Sequence, residues 1–317
     1  MNAAPASAIV FAYHQVGVRC LRVLLDGGID VRLVVTHRDA PGETIWFQSV
    51  AALAQERGLR CIAPGDPADP QLLQAARTAA PDFLFSFYYR HMLGADLLAV
   101  PRRAALNMHG SLLPKYRGRV PVNWAVLNGE RETGATLHLM EAKPDSGAIV
   151  DQCAVPILGD DTAREVFDKV VVAAEVVLAR SLPRLVAGTA EMRPQNLREG
   201  SYFGGRKPED GRIPAAAGGT QIHDLVRALS PPYPGAFFQA RGRRIAIYRT
   251  LPAHSAAHLP ASEPGARFRL RVQGGTLWLI GTDGRQLQVL EATLDDAPLD
   301  PARLVEVFGS PVVEPDV

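Results

Sequence analysis

"AIVFAYHQVGVRCLRVLLDGGIDVRLVVTH", Ala8 to His37, is the stretch that decides the fold. Ala8 to Tyr13 is an apolar run of strand length, too short for a helix of its own. Val18, Leu21, Leu24 and Leu25 then recur at helical spacing, and Gly27-Gly28 stops that helix. Val31 to His37 returns to strand. The same rhythm continues downstream: Ile45 to Gly58 reads as a helix, Arg60 to Pro64 as a strand, Gln71 to Ala80 as a helix and Asp82 to Tyr89 as a strand. Strand, helix, strand in this order predicts βαβ units and a mostly parallel sheet. Right-handed crossovers then give a doubly wound, Rossmann-like α/β domain.

Beyond Ala104 to Gly110 the pattern becomes more loop-like. Two further strands are expected, in Gly134 to Glu141 and in Gly147 to Ile157, separated by the turn-forming "AKPDSG". Asp161 to Gly188 reads as a long amphipathic helix with an acidic start and a glycine stop. Periodicity fails between about Thr189 and Ala217, where Gly, Pro and polar residues accumulate. Past it come one helix, Gln221 to Ser230, and alternating segments punctuated by Arg-Gly, Gly-Gly and Asp-Gly turns. Successive hairpins of this kind predict a small antiparallel, OB-like barrel. The expected organisation is a catalytic domain over residues 1–190, a linker over 191–217 and the barrel over 218–317.

The chain of 317 residues carries 34 Lys and Arg against 33 Asp and Glu, a formal charge of +1. That balance argues against a protein whose main task is gripping nucleic acid. No apolar run approaches the roughly 20 residues that cross a bilayer, so no membrane insertion is expected. Met1 to Ser7 has no basic start of the signal-peptide kind. Cys20, Cys61 and Cys153 lack metal or redox spacing and read as small hydrophobes in a reducing compartment. A cytoplasmic enzyme without a metal fits these features.

The chemistry is expected in "NMHGSLLPKYRGRVPVNWAVLNGE", Asn107 to Glu130. Asn107 and His109 are two apart, so on a strand end both side chains face one side. Ligands of open α/β sheets bind beyond the carboxyl ends of the strands. There an amide can hold a developing oxyanion and an imidazole can move protons. Asp145, in a tight turn with Pro144 and Gly147, is a carboxylate that would raise the pKa of His109 and orient it, if the fold brings the two together. Each residue also has an ordinary reading, a structural His beside a glycine turn or a turn Asp. Phe83, Phe85 and Phe87 read as core, whereas Arg90, His91 and Met92 should lie just past a strand end.

Together these pieces resemble the folate-dependent formyltransferases. The family pattern is "NxHxSLLPxxRG" followed downstream by "DxG", here Asn107, His109, Ser111 to Gly118, and Asp145 with Gly147. "VFAYHQVG", "THRDAPGE", "FSFYYRHML", "NMHGSLLPKYRGRVPVNW" and "NGERETGATLHLM" are most similar to the branch that formylates UDP-4-amino-4-deoxy-L-arabinose. The likeness runs from about Ile9 to Phe237 and thins through the barrel. It departs from the family at Gly211 to Gly219, which lacks a common Trp, and at Tyr233, where Trp is usual.

The resemblance implies His109 as catalytic acid/base, Asn107 as transition-state stabiliser and Asp145 as the group tuning His109. It implies a pocket for 10-formyltetrahydrofolate from His91, Met92, Leu93, Arg119, Glu141, Ala142, Lys143, Pro144 and Asp145. Lys115 and Arg117, with Arg206 from the linker, are candidate contacts to the acidic groups of a UDP-amino sugar or the folate tail. The implied role is lipid A modification of the kind that confers polymyxin resistance. That branch is often fused to a sugar dehydrogenase–decarboxylase, and a stand-alone form is expected here. The competing readings are a formyltransferase for another nucleotide-linked amino sugar, a methionyl-tRNA formyltransferase, and a folate-binding module without catalysis.

Overall fold

The computed structural model of the protein describes residues 4–253 and 266–316. Its contacts divide the chain into two units. One is Met1–Pro121, Glu132–Pro156 and Phe167–Gly204, and the other is Val122–Arg131, Ile157–Val166 and Gly205–Val317.

The first unit opens with β1 (Ser7–Ala12), α1 (His14–Asp26), β2 (Asp30–Val35), α2 (Val50–Glu56), β3 (Cys61–Ile62), α3 (Pro70–Ala79), β4 (Phe83–Phe87), α4 (Ala95–Leu98) and β5 (Ala104–His109). These five strands pair in parallel in the order β3-β2-β1-β4-β5. Every residue of β1 and β4 is buried, which is why both segments read as near-continuous apolar runs rather than alternating ones. The chain then forms β6 (Arg117–Gly118), α5 (Pro121–Leu127), β7 (Glu132–Leu139), β8 (Ile149–Pro156), α6 (Ala163–Ala187) and β9 (Tyr202–Phe203). β7 and β8 extend the sheet antiparallel beyond β5. The result is the expected doubly wound α/β architecture with an antiparallel edge.

Two elements differ from the sequence reading. The helix expected from Ile45 starts at Val50, capped by Ser49, whose hydroxyl accepts the Ala52 N–H at 3.2 Å. Trp46 and Phe47 instead pack on His14, at centroid distances of 4.5 and 3.8 Å, and the Gln48 N–H donates to Gln15 Oε1. Tertiary contacts thus override helical propensity in that segment. Residues 191–204 lie in the first unit, where β9 pairs in parallel with β6, and Ile213 and Ala217 are buried in the core of the second.

That second unit holds α7 (Gly219–Ala228), β10 (Ala236–Ala240), β11 (Arg243–Pro252), β12 (Arg269–Gln273), β13 (Thr276–Ile280), β14 (Gln286–Leu294), β15 (Ala297–Pro298), α8 (Pro301–Phe308) and β16 (Val312–Val313). Its antiparallel sheet runs β10-β11-β14-β13-β12-β16. The Arg241-Gly242 and Gly274-Gly275 turns have φ of +50°, +73°, +59° and +72°, the left-handed pairs that tight hairpins need. Past β16 the Asp316 N–H reaches the Gln239 carbonyl of β10 at 2.7 Å, so the sheet curls into a nearly closed barrel around Phe238, Phe268 and Leu270. Among the described residues no helix is long and apolar enough to cross a membrane.

Candidate active site

The carboxyl end of β5 carries Asn107 and His109, and the antiparallel register of β7 sets His138 opposite Asn107 and Thr136 opposite His109. Thr136 builds the turn that follows β5: its hydroxyl donates to the Ser111 carbonyl at 2.6 Å and accepts the Leu113 N–H at 3.2 Å. The chain then comes back past the strand end, so that Tyr116 and Gly118 flank the side chains of the site through their backbone groups. His109 Nε2 lies 2.8 Å from the Tyr116 carbonyl. A carbonyl only accepts, so Nε2 carries the proton and Nδ1 is the basic nitrogen of the neutral ring.

Asp145 comes to this point from the β7–β8 loop. Its Oδ1 lies 3.5 Å from His109 Nδ1, 3.5 Å from His138 Nε2 and 3.4 Å from Asn107 Nδ2. Its Oδ2 accepts the Gly118 N–H at 2.9 Å. The loop is held tightly: Asp145 sits in the left-handed region at φ +50°, and Gln195 donates to the carbonyls of Asp145 and Gly147 at 3.1 and 2.6 Å. A methyl group on Gly147 would collide with the Leu139 carbonyl. Gly147→Ala is therefore expected to displace Asp145 and to lower turnover at least tenfold. A steady-state assay beside a thermal melt checks this, and unchanged turnover would show that the loop does not set the geometry.

Electrostatically the pair is divided. Burial, the largest influence on His109, lowers its pKa below the ordinary 6.5, and the opposing pull of Asp145 and the Tyr116 carbonyl does not overcome it. The upward push from Asp145 is thus present, but the net shift is downward and His109 is neutral at pH 7. For Asp145 burial is also the largest influence and pushes upward. His109, His138 and the Gly118 amide together outweigh it and hold the carboxyl well below the usual carboxylate range. An uncharged base therefore stands beside a fixed anion.

His138 was not singled out from sequence. Its Nδ1 donates to the Leu139 carbonyl at 2.7 Å, which leaves Nε2 to accept from Asn107 Nδ2 at 3.2 Å. The two amide hydrogens of Asn107 are thus directed at His138 Nε2 and, over a longer 3.4 Å, at Asp145 Oδ1. A histidine between Leu137 and Leu139 in the strand "GATLHL" was the available signal.

The other expected residues divide clearly. His91 is exposed, with its ring 4.9 Å from His37, and Met92 is 58% exposed, whereas the Leu93 side chain is buried in the core under the sheet. Glu141, Ala142 and Lys143 are exposed, and Pro144 is half-buried beside Asp145. Lys115 and Arg119 are exposed. Arg117 is buried, with Nε and Nη1 lacking any hydrogen-bond partner among the described residues. Arg206 lies in the second unit, where its guanidinium donates to Asn123 Oδ1 at 2.9 Å and the Asp210 carbonyl at 2.8 Å. Those bonds give it structural work.

The family model "Formyl transferase" matches residues 9–182, and "Formyl transferase, C-terminal domain" matches residues 206–306. The chain belongs to the formyl transferase family. Solved structures with the same fold include an N-formyltransferase from Helicobacter canadensis, described in complex with folinic acid and dTDP-3-aminofucose. It is 20% identical, with a TM-score of 0.66, over 90% of this chain and 98% of that one. A sugar 3N-formyl transferase, WlaRD, solved with dTDP and 5-N-formyl-THF, is 19% identical at a TM-score of 0.70, again over 90% and 98%. HypX from Aquifex aeolicus, in complex with tetrahydrofolic acid, is 17% identical at a TM-score of 0.62. It aligns with 95% of this formyl transferase, which covers 47% of HypX.

Proposed function

We propose that this formyl transferase moves a formyl group from 10-formyltetrahydrofolate to the 4-amino group of UDP-4-amino-4-deoxy-L-arabinose, in the cytoplasmic stage of lipid A modification. The observation that carries the chemistry is the convergence of Asn107, His109 and Asp145 at one strand end, with a neutral imidazole against a charged carboxylate. The two relatives solved with dTDP or a dTDP-sugar support a nucleotide-linked amine as the acceptor class. The wording of "VFAYHQVG" and "NMHGSLLPKYRGRVPVNW" favours the UDP-arabinose branch.

The residues present fit a folate donor. The buried, unpartnered Nε and Nη1 of Arg117 are donors in want of an acid group, which a folate tail or a diphosphate supplies. Exposed Met92 and the Glu141 to Asp145 loop would hold the ring system of the donor.

In the proposed reaction the uncharged sugar amine attacks the formyl carbon. Asn107 exchanges its long 3.4 Å bond to Asp145 Oδ1 for the substrate and donates that Nδ2 hydrogen to the oxygen as negative charge develops there, a contact worth about 3 kcal/mol when one such donor is removed. His109 accepts the amine's proton at Nδ1 and passes it to the departing folate nitrogen. Asp145 lowers the cost of the imidazolium that exists between those two transfers.

Because His109 must be neutral to act, acidification should remove activity. kcat/KM is expected to be level near pH 7 and to fall about tenfold per pH unit below a midpoint under 6.5. A pH–rate profile with its midpoint above 6.5 would contradict a base held neutral by burial. The acceptor is tested by mixing the protein with 10-formyltetrahydrofolate and UDP-4-amino-4-deoxy-L-arabinose and following product mass. Turnover only with another amino sugar, or only with methionyl-tRNA, would overturn the acceptor and keep the chemistry.

A further inference from the structure

A hollow lies in the first unit, lined by residues other than those gathered at the β5 strand end. It is a cavity of about 550 Å³ at the carboxyl ends of β1, β2 and β3. Tyr13, Thr36, His37, Arg38, Asp39 and Phe47 are among the residues that line it. In a sheet ordered β3-β2-β1-β4-β5, these strand ends belong to the half that cradles a mononucleotide in doubly wound folds. The volume is within the range of small-molecule sites.

Its polar groups are oriented before any ligand arrives. The buried Tyr13 hydroxyl donates to Oδ1 of the exposed Asp39 at 2.7 Å, which leaves Oδ2 as an acceptor. The Arg90 N–H donates to His37 Nε2 at 3.0 Å, so the neutral ring carries its proton on Nδ1 and is a fixed donor. That ring is stacked on Tyr89 at 4.1 Å and met edge-on by Tyr13 at 5.2 Å, so it cannot turn away without losing both contacts. Phe47 meets the Tyr13 ring edge-on, 5.2 Å away, and adds an aromatic surface to the lining. Arg38 is exposed at the rim.

We infer that this cavity takes the nucleoside of the acceptor, with the Asp39 carboxylate accepting hydrogen bonds from the ribose hydroxyls and the aromatic surface of Phe47 against the base. The inference rests on the proposed nucleotide-linked acceptor and adds which part of it is read, and by which residues. A carboxylate that accepts from the 2′-hydroxyl discriminates ribonucleotides from 2′-deoxyribonucleotides, since the deoxy form leaves that acceptor desolvated and unpaired. His37 Nδ1–H supplies a donor to a carbonyl of the base. The site is thereby suited to a UDP-linked amine over a dTDP-linked one.

Titration calorimetry with UDP and with 2′-deoxy-UDP, without sugar or folate, tests this. UDP is expected to bind the wild type about tenfold more tightly than 2′-deoxy-UDP. Asp39→Ala should weaken UDP about tenfold and leave 2′-deoxy-UDP within about twofold, which collapses the preference. Phe47→Ala should weaken both nucleotides alike, and a thermal melt of each variant controls for folding. Equal binding of the two nucleotides by the wild type, no binding of either, or a preference unmoved by Asp39→Ala would each overturn the inference. Formyl transfer is measured separately on the wild type. Turnover of a nucleotide-linked amine with no Asp39-dependent preference sinks the cavity assignment alone, and an Asp39-dependent preference without turnover of any such amine sinks the proposed reaction alone.

Discussion

His109→Ala is expected to lower kcat at least 100-fold, with KM for both substrates within about threefold of wild type. Alanine removes the only basic nitrogen that the β5 strand end aims at Asp145, while Nε2 and its bond to the Tyr116 carbonyl serve geometry. Loss of the base acts on the transition state far more than on the bound ground state, so the effect should fall on kcat. The residual rate comes from holding the reactants together and from Asn107, neither of which needs the imidazole. The same substitution removes a buried ring, so folding must be controlled by thermal melt. His109→Asn keeps a polar side chain of moderate size and should be equally slow. A well-folded variant of either kind with kcat within tenfold of wild type would remove His109 from the chemistry. So would a loss confined to KM.

Much of this arrangement was legible because its causes are local. Buried central strands such as "AIVFA" and "FLFSF" announce themselves by near-continuous apolarity, and Gly27-Gly28, Arg241-Gly242 and Gly274-Gly275 mark turns by their backbone freedom. Asn107 and His109 were legible as a same-side pair, because strand alternation depends only on spacing. What sequence spacing does not contain is register. His138 reaches Asn107 only because β7 pairs antiparallel with β5 at that offset, and Gln195 reaches the loop that carries Asp145 from 50 residues away. The sign of the His109 shift was hidden for a related reason. A neighbouring carboxylate can be read from a motif, but burial of the ring depends on everything packed around it, and burial is the larger influence. β9 was missed in a segment without periodicity, because a two-strand bridge is defined by its partner β6 rather than by its own residues.

Asp145→Asn should be nearly as damaging as loss of the histidine, with kcat down about 100-fold or more. The amide is almost isosteric, and its oxygen can still accept the Gly118 N–H that anchors Asp145 Oδ2. What it lacks is the charge. With burial already lowering the His109 pKa and Asp145 opposing it, the neutral amide leaves burial unopposed. The imidazole becomes a still weaker base, and the imidazolium formed during proton transfer loses its counter-ion 3.5 Å away. The acid limb of the pH–rate profile should consequently move to lower pH even as the plateau falls. A plateau that falls while the limb stays in place would show that the Asp145 charge does not act on His109. The two residues act as a unit, so the double variant His109→Ala/Asp145→Asn should be no slower than His109→Ala within about threefold. Multiplicative losses in that double variant would mean that Asp145 contributes by a route independent of His109. The other side-chain partners of its carboxylate, His138 and Asn107, would then be where to look for it.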